Sequence, residues 1–197
     1  MAVGLLALAG CSGSDEPHLV RVTAAGCALT TRSSSGVVVG DGLVATVAHG
    51  LGGSTGLSVG GRDARLVAID VRSDLAIVAL PGVHTDITLA DDAVAGDVTL
   101  HTPEGVVPTT IRRPITIKYT GFDGVTHVRD GFEVVGEIVH GDSGSPVLDS
   151  EGRLVGLMYA VSTGLGGVSY GVSVSELRAL LSTVDQASPT VSSGACP

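Results

Sequence analysis

The segment Gly141-Asp142-Ser143-Gly144-Ser145-Pro146 carries the most chemistry in this chain. A serine becomes a nucleophile when a turn exposes its Oγ and aims nearby N–H groups at the oxyanion formed on attack, and the glycines at 141 and 144 permit such a turn. Such a serine needs a base. Among six histidines, His49 stands out because it ends the strand-like run Leu43-Val44-Ala45-Thr46-Val47-Ala48, and imidazole can take and return a proton near neutral pH. A histidine taken alone is more often a surface or core residue. Asp74 opens the apolar run Leu75-Ala76-Ile77-Val78, where an aspartate commonly caps a turn. Asp70, four residues upstream, competes with it for any acidic role.

Together the segments VATVAHG (44–50), SDLAIV (73–78) and GDSGSP (141–146) resemble, in the same chain order, the T-A-A-H, D-[LI]-A and G-D-S-G-G-P motifs of the chymotrypsin-fold, trypsin-like serine peptidases. The resemblance runs from about Val20 to Leu181. Its close, Tyr170 to Leu181, is similar to that of the bacterial high-temperature-requirement group. It implies a serine endopeptidase that works through an acyl-enzyme and needs no cofactor. Ser143 would attack, His49 would act as base and then acid, and Asp74 would hold the imidazole tautomer. The N–H groups of Gly141 and Ser143 would form the oxyanion hole.

For substrate binding the same resemblance points to Glu137 at the pocket floor and to Tyr159, Ala160 and Val161 as the pocket wall. His140 falls at the rim. Glu137 favours basic side chains whereas Val161 narrows the slot, so specificity stays open. The wall strand should pair with an extended peptide by β-addition. Ser145 stands where the family has a second glycine. Asp142 matches an aspartate that pairs, in animal relatives, with an amino terminus freed by cleavage; here either a side chain such as an arginine compensates or the loop holds itself, with no trypsin-type activation step. The competing reading is a catalytically inactive homologue that serves as an exported peptide-binding lipoprotein. Esterase chemistry fits less well, because Ser143 does not sit in a G-x-S-x-G elbow.

The elements that must position these residues read as short β-runs bounded by Gly, Pro, Asp or Ser. They are Leu19 to Thr23, Gly36 to Val39, Leu43 to Thr46, Arg65 to Asp70 and Leu75 to Leu80, then Val98 to Thr102, Ile115 to Thr120, Val125 to Arg129, Phe132 to Val139, Pro146 to Leu148, Leu154 to Val161 and Val168 to Val174. Such runs fit a barrel or a sandwich. The resemblance narrows this to an all-β fold of two six-stranded antiparallel β-barrels packed together. Gly40-Asp41-Gly42 and Ser150-Glu151-Gly152 read as hairpin turns. The stretch 81–96 is poor in strand signal and divides a first barrel (about 18–90) from a second (about 96–175). A short C-terminal helix (about 175–183) starts at a capping box, Ser173-x-x-Glu176. The tail 186–197, rich in Ser and Pro, is expected to be loose unless Cys196 is bridged.

Composition sets the outer bounds. The chain has 197 residues, 44% hydrophobic and 16% charged, enough to bury a core. A formal charge of -9 and no Lys or Arg run argue against nucleic acid as a partner; a peptide or protein substrate is what the resemblance implies. Met1 to Gly10 is apolar but too short to span a bilayer, so residues 1–17 read as a signal peptide and polar linker. Leu8-Ala9-Gly10-Cys11 resembles a bacterial lipobox, which would acylate Cys11 and place the protein on the outer face of the cell envelope; plain secretion is the alternative. Cys27 and Cys196 are then a possible disulfide in an oxidising compartment. The histidines and cysteines show no metal-ligand spacing.

Overall fold

Alternating small and branched apolar residues close two barrels in the computed structural model, which describes residues 19–26, 30–136, 138–161 and 166–194, without the side chains of 160 and 161. Cys11, Cys27, Cys196 and Glu137, the side chains of Ala160 and Val161, and the leader before residue 18 lie outside the described residues. The first barrel contains β1 (Leu19–Ala25), β2 (Thr31–Gly40), β3 (Leu43–Val47), β4 (Gly56–Val59), β5 (Arg62–Asp70) and β6 (Leu75–Ala79). The second contains β7 (Gly96–Thr102), β8 (Gly105–Thr120), β9 (Thr126–Val135), β10 (Pro146–Leu148), β11 (Leu154–Val161) and β12 (Val168–Ser173), followed by the helix α1 (Val174–Leu181). The strand orders are β1-β2-β3-β6-β5-β4 and β10-β11-β12-β9-β8-β7. Pairing of β4 with β1 and of β7 with β10 closes each ring, and closure leaves no exposed sheet edge.

Each barrel fills its own interior. Val22, Val38, Val44, Leu66 and Val78 pack inside the first, and Phe132, Val134, Val155 and Met158 inside the second. A third cluster joins the two: Val37, Ala45 and Ile77 meet Leu148, Leu154, Leu157 and Leu177 of α1. The segment 81–95 crosses between the barrels and carries no strand apart from a single bridge at Leu89.

The element readings need four corrections. β4, flanked by glycines, had no strand signal. β8 starts at Gly105 rather than Ile115, because Pro108 and Pro114 masked its first half. The two runs expected on either side of Asp130-Gly131 are one strand, β9. Gly131 is there for close approach rather than a turn: a Cβ would lie 2.3 Å from Ile117 Cδ1 and 2.5 Å from the Gly171 carbonyl. The helix starts at Val174, with the Ser173 hydroxyl accepting from Ser175 N–H, while Glu176 does not complete the capping box. Its carboxylate instead pairs with Arg72 at 2.6 Å and accepts the Asp130 N–H at 3.0 Å. The described tail residues also run against the first barrel: Arg65 donates to the carbonyls of Gln186 and Ser188, and Val191 N–H to Leu66.

Candidate functional site

β3 delivers His49 to the end of the first barrel, and the β5–β6 turn brings Asp74 to it. Asp74 is 3% exposed and accepts from His49 twice, Oδ1 from the backbone N–H and Oδ2 from Nδ1, both at 2.8 Å. Its carbonyl also accepts the Ala48 N–H at 2.9 Å. A carboxylate can only accept, so Nδ1 carries the proton and Nε2 of the neutral ring is left as an acceptor. Asp74 adopts φ +57, a left-handed conformation that aspartate tolerates better than most residues. Asp70 is turned elsewhere, accepting from Ser73 Oγ and from Arg72 N–H.

The serine loop comes from the second barrel and docks on the first. The Ser143 carbonyl accepts the Ser35 N–H of β2 at 2.8 Å, and Gly144 N–H donates to the Met158 carbonyl of β11 at 2.7 Å. Gly144 is obligatory here: its φ is +92, and a Cβ would fall 1.9 Å from the Ser35 carbonyl. The Ser35 hydroxyl further fixes the Gly141 carbonyl at 2.8 Å. Among the described residues, the N–H groups of Gly141 and Ser143 have no protein acceptor. The Ser143 hydroxyl donates to the Tyr159 carbonyl at 3.3 Å, and no hydrogen bond links it to His49. It holds one hydrogen, so Oγ must rotate before that hydrogen can reach Nε2.

Beside this loop lies a cleft of about 560 Å³ whose walls include Arg21, Ser33, Ser35, Glu104, His140 and Gly141. His140 is exposed and lines this cleft, whereas Tyr159, expected in the wall of the substrate pocket, does not. Asp142 is 4% exposed; its Oδ2 accepts the Val139 N–H at 2.8 Å, and its Oδ1 has no hydrogen-bond partner among the described residues. Burial pushes its carboxyl above the ordinary range, against the Val139 hydrogen bond. Of the two options for this aspartate, the loop holding itself matches the geometry, since no arginine among the described residues pairs with it.

Tyr159 lends the serine loop its carbonyl and turns its ring away, onto Arg129. Arg129 was not foreseen from the sequence. It is 1% exposed, its Nη1 donates to the Ser73 carbonyl at 2.6 Å, and that atom lies 3.7 Å from Asp74 Oδ2. It lies on the face of β9 opposite Phe132 and Val134, turned towards the first barrel, and no local pattern marks it. Among the described residues, no group of three His, Cys, Asp or Glu side chains is placed to hold a metal ion.

Two closed antiparallel barrels, with a carboxylate–histidine pair on one and a serine loop of the other docked beside it, define the chymotrypsin-like class. The trypsin-like peptidase domain family matches residues 34–157, and this chain belongs to it. Serine protease Rv3671c and serine protease MT3772, from two strains of Mycobacterium tuberculosis, are each 27% identical over 200 residues, 93% of this chain. The chain spans about half the length of these relatives (50%). Among solved structures, the Rv3671c protease in its active form superposes with a TM-score of 0.84 at 25% identity, covering 92% of this chain and 86% of that one. Its inactive form gives 0.69 at 23% identity over 85% and 89%. An HtrA-type protease, AlgW, with a tripeptide gives 0.67 at 22% identity over 85% and 60%.

Proposed function

We propose that this chain is a serine endopeptidase acting through Ser143, His49 and Asp74. The observation that carries the reading is the Asp74 carboxylate on His49 Nδ1 at 2.8 Å, which leaves Nε2 as the proton acceptor, in a chain of the trypsin-like peptidase family. Ser143 Oγ attacks the scissile carbonyl while Nε2 takes its proton. The acyl-enzyme forms as Nε2 protonates the departing amine, and water then repeats the sequence in reverse. The free N–H groups of Gly141 and Ser143 receive the oxyanion; one such donor contributes about 3 kcal/mol to the transition state. The substrate is an extended peptide or flexible protein segment lying along β11. Its N–H can take over the Tyr159 carbonyl, which releases the Ser143 hydroxyl towards His49.

One observation favours the inactive-homologue reading, namely the Ser143 hydroxyl engaged by Tyr159. Labelling with a fluorophosphonate separates the two. An adduct on Ser143, absent from Ser143→Ala, supports the peptidase; a folded protein that takes no label overturns it. We further propose export with Cys11 acylated, to be read as fatty-acid incorporation that Cys11→Ser abolishes.

A further inference from the structure

Arg129 is an unusual resident for the interior of a β-barrel protein. Its Nη1 donates to the Ser73 carbonyl, while Nε and Nη2 have no hydrogen-bond partner among the described residues. The flat group lies between two aromatic rings, 4.1 Å from the Tyr119 centroid on β8 and 3.9 Å from that of Tyr159 on β11. Ring faces attract a cation but leave its donors unfilled. A methionine would fill similar space with no desolvation cost, and buried ion pairs are often no better than apolar replacements for stability. The charge must therefore be weighed by what it touches, and that is Asp74. Oδ2 of Asp74 faces both His49 Nδ1, at 2.8 Å, and Arg129 Nη1, at 3.7 Å.

We propose that Arg129 is a positioning residue for the His49–Asp74 pair, a cation clamped by Tyr119 and Tyr159 that orients the Asp74 carboxylate and offsets its charge as felt by the imidazole. The proposal rests on His49 being the general base. An unopposed carboxylate raises the proton affinity of its histidine partner, and a base that is protonated at working pH does no work; a fixed cation on the far side of the carboxylate opposes this. The clamp also ties the site together, because Tyr159 supplies both a ring to Arg129 and a carbonyl to Ser143. The other charged or titratable groups around the pair are Arg32 on β2, which donates to the His49 carbonyl at 3.4 Å, Asp70 and Arg72 of the β5–β6 turn, Glu176 of α1, and Asp123 with His127 of the β8–β9 hairpin. Of these, Glu176 is itself held down in part by Arg129 and so shifts upward when Arg129 is replaced.

The test follows the His49 titration by NMR of ¹⁵N-histidine in the intact chain, for wild type, Arg129→Met, Arg129→Gln and Arg129→Lys. The Met and Gln variants should raise the His49 midpoint relative to wild type, and Lys should bring it most of the way back. The acidic limb of the kcat/KM profile should move up with it, with kcat reduced and KM unchanged. Arg129→Gln keeps a donor for the Ser73 carbonyl and serves if the Met variant does not fold. A folded neutral variant whose His49 midpoint matches wild type overturns the proposal. Turnover is not needed for this reading, so a wild type without Ser143-dependent labelling would sink the peptidase assignment while the titration still decides the role of Arg129.

Discussion

Asp74→Asn is the substitution whose outcome the geometry fixes most tightly. Asparagine tolerates the left-handed conformation at φ +57, so the backbone of the β5–β6 turn can stay. The amide keeps one acceptor and gains a donor. If its oxygen holds the His49 N–H, the NH₂ group faces Nδ1, which must then accept, and the ring proton moves to Nε2. If the amide flips, a donor faces the His49 N–H instead. In the first arrangement Nε2 can no longer take the Ser143 proton, and the expected loss is about 10⁴-fold in kcat, or about 5.5 kcal/mol. Arg129 also loses its anion, and breaking a buried pair costs about 3 kcal/mol or more. At 3.7 Å this contact should fall at the low end, within the 5–15 kcal/mol margin typical of a domain, so the variant stays folded at 25 °C. The assay is the second-order rate of fluorophosphonate labelling beside hydrolysis of a fluorogenic unfolded protein, with folded fraction from circular dichroism. A folded variant within tenfold of wild type would refute the assignment of Asp74.

Gly144→Ala puts a Cβ 1.9 Å from the Ser35 carbonyl at φ +92 and should lower stability by about 2 kcal/mol or more while abolishing Ser143 labelling, read by thermal melts and probe adduct. Phe132→Ala empties the centre of the second barrel, where the ring is fully buried, and should cost about 3–5 kcal/mol in denaturant unfolding. Glu176 is buried, which raises its carboxyl, but hydrogen bonds from Arg72 and Asp130 N–H outweigh this and hold it below its ordinary range. It therefore contributes stability above its unfolded pKa that is lost as pH falls through the folded value, and the Tm advantage of wild type over Glu176→Gln should shrink on acidification. Asp142 has the opposite sign, being raised chiefly by burial: the Tm of wild type relative to Asp142→Asn should fall as pH rises from the unfolded towards the folded value.

What was legible in the sequence follows from how local each signal is. β3, β6, β10 and β11 are apolar runs with clear breakers, and their bounds in the structure lie within a residue or so of the sequence reading. They also frame His49, Asp74 and the 141–146 loop, so the candidate site could be read from its flanks. Gly131 and Pro114 misled because the same residue types mark turns in one setting and close packing or strand irregularity in another. Gly131 is a glycine because of Ile117 and Gly171, partners that only the closed barrel brings near. Glu176 satisfies the local rule for a capping box and is taken instead by Arg72, distant in sequence. Arg129 had no local signature, since its partners come from β8, β11 and the β5–β6 turn.

The division of labour between the barrels explains why so many polar contacts converge on the β5–β6 turn. His49 and Asp74 belong to the first barrel and Ser143 to the second, so their register depends on ties across the interface. The apolar cluster between the barrels supplies adhesion but little direction, because hydrophobic contact does not fix orientation. Direction comes from hydrogen bonds: Ser35 N–H to the Ser143 carbonyl, Arg129 to the Ser73 carbonyl, and Arg72 on one side and Asp130 N–H on the other to the Glu176 carboxylate of α1. Arg129 and Glu176 thus hold residues 72 and 73 from the second-barrel side, immediately before Asp74. A left-handed aspartate costs on the order of 1 kcal/mol and persists only where its surroundings over-determine it. Here the conformation aims one oxygen at each of two His49 donors, which a right-handed residue at that position could not do without moving the turn off its second-barrel anchors.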